Sequence, residues 1–198
     1  MKAPDPITVK EPIDLFKEKA AEYSKVCQVL VNCGIIAYKK FDVDSSMFHP
    51  MYKKEHDVRY DSPFEPMFKW LSEYENYPCL YRWKVIPPYD GEKIKNAVMS
   101  QSEKGFNVPY VDTNAETETD TLYIGKVQSC IWGRQIEHLG YHKQNKSHHG
   151  LHLHEWVKDM NLKMELQVFV FPKECIPLIE TFEHEFAKEY RPLIGSHK

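Results

Sequence analysis

Apolar positions recur along this chain with two different periods, and the change of period divides it. Pro12 suits a first helical turn. Phe16, Ala20, Tyr23, Cys27 and Leu30 follow it at helical spacing until Gly34 offers a stop. Phe64, Met67, Phe68, Leu71 and Tyr74 repeat at helical intervals and predict a second, shorter helix over 64–75. The segment between them is polar and dotted with aromatics, without a strong period. Residues 1–75 therefore read as an N-terminal helical extension.

Beyond Pro78 the period falls to two. Cys79, Tyr81, Trp83 and Val85 alternate with Leu80, Arg82, Lys84 and Ile86, the pattern of a strand. A second short strand covers 121–126, with Tyr123 and Gly125 on one face and Leu122 and Ile124 on the other. Ser129 as N-cap and Gly140 as C-cap bracket a helix whose buried stripe is Trp132, Ile136 and Leu139. Arg134 and His138, one turn apart, project from its flank. A third strand spans 164–171, where Met164, Leu166, Val168 and Val170 alternate with their neighbours. The last helix buries Ile179, Phe182, Phe186 and Tyr190 and stops at Arg191-Pro192, because the residue before proline is pushed out of the α region. The expected fold is α/β: a small three-stranded antiparallel sheet flanked by helices, over 76–198, with 87–120 as an insertion.

Composition narrows the partners. With 198 residues, 42% of them hydrophobic, the chain can bury one sound core or two small ones. A net charge of −3 argues against a generally basic nucleic-acid binder, so any such contact has to come from a local patch. Cys27, Cys33, Cys79, Cys130 and Cys175 are odd in number and form no CxxC pair, which fits reduced thiols better than a disulfide framework. The N-terminus lacks the apolar core of a signal peptide, and no apolar run approaches the roughly 20 residues of a membrane span. A soluble cytoplasmic protein is expected.

The candidate chemistry begins at Tyr123-Ile124-Gly125. Arg134 lies eleven positions past the tyrosine (134 − 123), and His138 one turn later. Together they suggest an edge where a phosphodiester is held and attacked. With Pro78-Cys79-Leu80-Tyr81 before them and the helix from Phe182 to Pro192 after, these segments resemble, in order, the motifs of the GIY-YIG nuclease family. The resemblance covers about residues 76–198. Cys79 stands in place of a motif glycine, and Gly195 stands near the family's closing asparagine. The tyrosines Tyr81 and Tyr123 lie 42 positions apart (123 − 81), where the family has a short turn. The intervening 87–120 ends in the acidic run from Asp112 to Asp120.

The resemblance implies an endonuclease that hydrolyses phosphodiester bonds in DNA with Mg²⁺ or Mn²⁺, of restriction, repair or mobile-element type. It assigns Tyr81 or Tyr123 as the group that deprotonates or orients water, and Arg134 as a forked phosphate donor. His138 helps to position the nucleophile, and Glu183 holds the metal. Lys126, Lys143 and Lys146 are candidate nucleic-acid contacts. The alternative class is a catalytically inactive module that uses the same fold to bind nucleic acid or protein. His142, His148, His149, His152 and His154 form a separate cluster that could suit zinc. Neither cysteine nor paired carboxylate accompanies them at ligand spacing. The stretch 150–156 reads instead as a helix on the sheet, and the loop before it as a phosphate-facing surface.

Overall fold

The alternating segments pair as their patterns require. The computed structural model describes residues 12–54, 56–113, 117–142 and 149–195. Its strands are β1 (Ala37–Asp44), β2 (Cys79–Ile86), β3 (Thr121–Val127) and β4 (Lys163–Val170), all antiparallel in the order β1-β4-β2-β3. The sheet thus has four strands, not the three expected. The N-terminal part is correspondingly not helical throughout, because β1 pairs along the whole of β4, from Ala37 opposite Val170 to Asp44 opposite Lys163.

Helices cover both faces. β2 is central and buried on both sides, so Leu80 and Arg82 are as hidden as Tyr81 and Trp83. One face carries Tyr81, Trp83, Val85, Leu166 and Val168 in the main core. The helices α3 (Glu65–Glu73) and α5 (Ile131–Leu139) close over it, contributing Phe68, Leu71, Ile131 and Leu139. Each such side chain contributes roughly 1.5–3 kcal/mol by burial. The opposite face packs Leu80 with Val26, Phe171, Cys175 and Ile179, which belong to α1 (Pro12–Cys33), the turn after β4, and α6 (Ile179–Tyr190). β3 is an edge strand. The segment after α6 lies along it, with the Leu193 and Ile194 amides donating to the carbonyls of Thr121 and Leu122 at 2.8 and 3.1 Å.

Several local expectations change. The stretch 87–120 contains a helix, α4 (Gly91–Glu103), capped by Asp90 and anchored in the main core by Ile94 and Val98. Asp120, at the end of the acidic run, is neutralised by Arg82 at 2.6 Å and Lys84 at 2.9 Å. Ser129 does not cap α5. Cys130 takes that position with φ 58° and no side-chain cap bond. The helix expected over 150–156 is reduced to a single 3-10 turn at Leu153–Glu155. Among the described residues, no helix is long and apolar enough to cross a membrane.

Candidate active site

Tyr81 and Tyr123 come together because of the β2–β3 register. Tyr81 stands opposite Gly125, and Trp83 opposite Tyr123, so all four share one face of the sheet. Strand spacing leaves two neighbouring rings little room, and Gly125 supplies it. A Cβ at this position would fall on the Tyr81 hydroxyl, and would lie 2.6 Å from Tyr81 Cζ and 2.9 Å from Tyr123 Cε1. The ring centroids of the two tyrosines are 6.2 Å apart. Helix α5 brings the next residues: His138 stacks 5.3 Å from Tyr81 and 5.0 Å from Tyr123, and Arg134 lies one turn before it.

The hydrogen bonds give this cluster a direction. The backbone N–H of Leu151 donates to His138 Nδ1 at 3.2 Å. An amide can only donate, so Nδ1 is the acceptor and the neutral ring carries its proton on Nε2. Nε2 therefore donates to Tyr81 Oη, 2.8 Å away. Arg134 Nε donates to the same oxygen at 3.2 Å. With both donors in place, the Tyr81 proton turns to Tyr123, to which Tyr81 is hydrogen-bonded. The chain of donors runs from Leu151 through His138 and Tyr81 and ends on Tyr123.

The segment 149–151 holds two members of this set at once. Besides the Leu151 amide on His138, the His149 carbonyl accepts from Arg134 Nη2 at 2.8 Å. Gly150 between them lies so close to α5 that a Cβ would sit 2.5 Å from the Glu137 carbonyl oxygen. Glu137 in turn pairs with Arg134 Nη1 at 2.6 Å. Arg134 also draws on Tyr123. Three elements fix one guanidinium.

Tyr81 and His138 are sealed, each 0% exposed, so neither meets solvent. Of the two tyrosines, Tyr123 is the one that reaches it. It lines an open depression of about 500 Å³ together with His149, Glu180, Glu183, His184, Tyr110 and Gly195. Glu183 belongs to α6. On β3, Lys126 lies on the opposite face from Tyr123 and Gly125, and it bridges Glu183 and Glu180 at 3.3 Å each. The carboxylate thus meets the tyrosines around the outer edge of β3, where the two faces of the sheet come within reach. Lys126, expected as a nucleic-acid contact, is engaged in these ion pairs. Lys143 and Lys146 lie outside the described residues.

Burial governs the protonation of the cluster. It raises the Tyr81 pKa well above 10, aided by the neighbouring Tyr123 and opposed by Arg134. It raises that of Tyr123 too, again against Arg134. Both phenols therefore keep their protons at neutral pH. Glu183 is raised by burial against the pull of Lys126. Burial pulls the Arg134 pKa down, but its contacts with Tyr81, Tyr123 and Glu137 more than offset this, and the guanidinium is cationic.

His138 is held well below its ordinary 6.5, first by burial and then by the Arg134 charge. This makes a stability prediction. The unfolded chain takes up a proton near 6.5 while the folded chain refuses it. Stability is then complete above 6.5 and falls as the pH drops below that value toward the folded pKa. Urea unfolding between pH 8 and 5 should show this loss, and His138→Gln should remove part of the slope. Equal slopes in both proteins would overturn the assignment of a neutral His138.

Two histidines of the cluster, His152 and His154, pack against their neighbours away from Arg134. The His152 ring bonds the Asn107 carbonyl at 3.2 Å and packs on Phe106, and His154 lies 5.0 Å from the Tyr141 ring. His148 lies outside the described residues. Among the described residues no group of three or more His, Cys, Asp or Glu side chains is arranged to hold a metal. A single Mg²⁺ asks for less, since one or two carboxylates suffice when water and phosphate fill its remaining positions. Glu183 and Glu180, one turn apart and bordering the same depression, are hard oxygen donors that outnumber Lys126 by one charge. They fit such a cation. Glu180 and Tyr110 were not marked by any sequence motif; Glu180 was legible only as the residue three before Glu183.

The chain matches no protein-family model, no curated protein and no solved structure. Its function has to be read from the site itself.

Proposed function

We propose that this chain is a divalent-metal-dependent endonuclease that hydrolyses phosphodiester bonds in DNA, with a GIY-YIG-like site. The observation that carries the reading is the single network of Arg134, Tyr81, Tyr123 and His138 at the edge of a depression lined by Glu183. Residues far apart in the chain converge there in the order of the family's motifs. A cytoplasmic setting agrees with five unpaired thiols.

The residues divide the work. A phosphate entering the depression meets the guanidinium edge that faces Tyr123 and His149, the Arg134 partners that line its wall. Arg134 offers it a forked pair of donors and a charge that burial does not remove. The Tyr123 hydroxyl accepts from Tyr81, so its own proton points outward and orients the attacking water or a phosphate oxygen. His138 and Tyr81 touch no substrate; they hold Tyr123 in that hydrogen-bonding state. Glu183, with Glu180, holds the Mg²⁺ or Mn²⁺, which when bound supplies positive charge at the scissile phosphate.

A plasmid-nicking assay with Mg²⁺ or Mn²⁺ tests the reading. The unmutated protein should convert supercoiled to open-circular DNA, and EDTA should stop it. Nucleic-acid binding without cleavage under any divalent cation would favour the inactive binding module. That alternative is supported by Cys79 and Gly195 at motif positions.

A further inference from the structure

Outside the catalytic network, one aromatic ring stands in an unusual place. The segment 106–111 belongs to the insertion between the two tyrosine strands and is pinned at both ends. The Asn107 carbonyl contacts His152 Nε2 at 3.2 Å, with the Phe106 ring 5.0 Å from the same imidazole. The Tyr110 carbonyl accepts from the Gly195 amide at 2.8 Å. Val108 and Val111 pack against the main core. Between these anchors the Tyr110 side chain remains 53% exposed.

That ring borders two depressions. One is the active-site depression with Tyr123 and Glu183. The other, of about 390 Å³, is lined by Met99, Ser102, Glu103 and Val111, and shares Val108, Pro109 and Tyr110 with the first. Its wall is thus mostly aliphatic, with one hydroxyl and one carboxylate. A large exposed aromatic on a fixed backbone loses little freedom when a flat ligand stacks on it, and every nucleobase has a face to offer. The neighbouring depression holds the scissile phosphate in the nuclease reading, which places a base of the same strand at Tyr110.

We propose that Tyr110 and the cup formed by Met99, Val108, Pro109 and Val111 are a nucleobase subsite. A base flanking the scissile phosphate leaves its stack, lies on the Tyr110 ring and enters the cup. This rests on the nuclease reading for the position of the phosphate, but the stacking itself does not require cleavage. A base so placed cannot remain paired, so the subsite selects single-stranded or locally unpaired DNA over intact duplex.

The test uses the whole chain, its Tyr110→Ala and Tyr110→Phe variants, and oligonucleotides carrying 2-aminopurine, in single-stranded and fully paired form. Stacking quenches the 2-aminopurine fluorescence. The unmutated protein and Tyr110→Phe should quench the single-stranded probe. Tyr110→Ala should abolish the quenching and weaken single-strand binding about tenfold, with duplex binding and the thermal melt nearly unchanged. If Tyr110→Ala quenches as the unmutated protein does, or loses single-strand and duplex binding alike, the subsite is wrong even where cleavage is intact. If quenching depends on Tyr110 but no cation supports cleavage, the subsite stands and the nuclease reading falls. A protein that binds neither probe overturns both.

Discussion

Arg134→Ala is expected to slow Mg²⁺-dependent DNA cleavage by roughly 10²–10³-fold, the usual cost of one lost transition-state donor. The same change should weaken DNA binding several-fold, because in the proposed reaction the guanidinium contacts phosphate. Glu183→Ala separates the two effects: metal-dependent cleavage disappears while affinity is nearly kept, since the carboxylate serves the cation. Single-turnover cleavage and fluorescence anisotropy on one labelled duplex measure both. Arg134 also supports the fold, for it donates to Tyr81, to Glu137 and to the His149 carbonyl. Its removal leaves the buried Tyr81 oxygen and the mostly buried Glu137 carboxylate short of a donor, at about 1–3 kcal/mol. Arg134→Lys is therefore the sharper variant. It keeps the charge and loses the fork, and it should remain folded yet slow. Cleavage by Arg134→Ala within a few-fold of the unmutated rate would remove the arginine from the chemistry.

Gly125→Ala should be strongly damaging. The added carbon falls on the hydroxyl of a tyrosine that is fully buried and bonded to His138 and Arg134. Relief requires the Tyr81 ring to move, and His138, Tyr123 and Arg134 lie against it. Overpacking of this kind costs about 1–3 kcal/mol. Thermal unfolding should show the loss, and cleavage should fall further than stability explains, because the donor chain to Tyr123 is broken. An alanine variant with unchanged melting temperature and rate would mean that the two tyrosines do not pack as described.

Seven elements were legible because their apolar positions follow a clean period: α1, α3, β2, β3, α5, β4 and α6, although α5 buries Ile131, Gln135, His138 and Leu139 rather than the expected stripe of Trp132, Ile136 and Leu139. β1 was not, and the reason is local. Its inward positions include Lys39, whose ammonium lies over the rings of Phe41 and Trp70 at 5.4 and 5.8 Å. A lysine on the inner face makes a half-exposed edge strand look polar throughout. α4 hid in the same way, since its buried side mixes Ile94 and Val98 with Lys95 and Gln101. At the site, spacing put Arg134 and His138 on one flank of α5, while their meeting with Tyr81 was implied by the motif resemblance. The closure of Tyr81 and His138 from solvent was not. It depends on the 149–151 segment folding back onto α5 through Gly150, a long-range contact without a sequence period. Nor could spacing show that Lys126 spends its charge on two α6 carboxylates.

The short stretch 193–195 has a consequence for how molecules of this protein meet one another. Its amides donate to the carbonyls of Thr121 and Leu122 along the open side of β3, and Ile194 bridges Tyr123. A bare sheet edge is a template for strands from other molecules. Removing these residues would uncover the strand that carries Tyr123 and invite two copies to pair through it. The shortened protein should run as a dimer or larger aggregate, its depressions closed against each other.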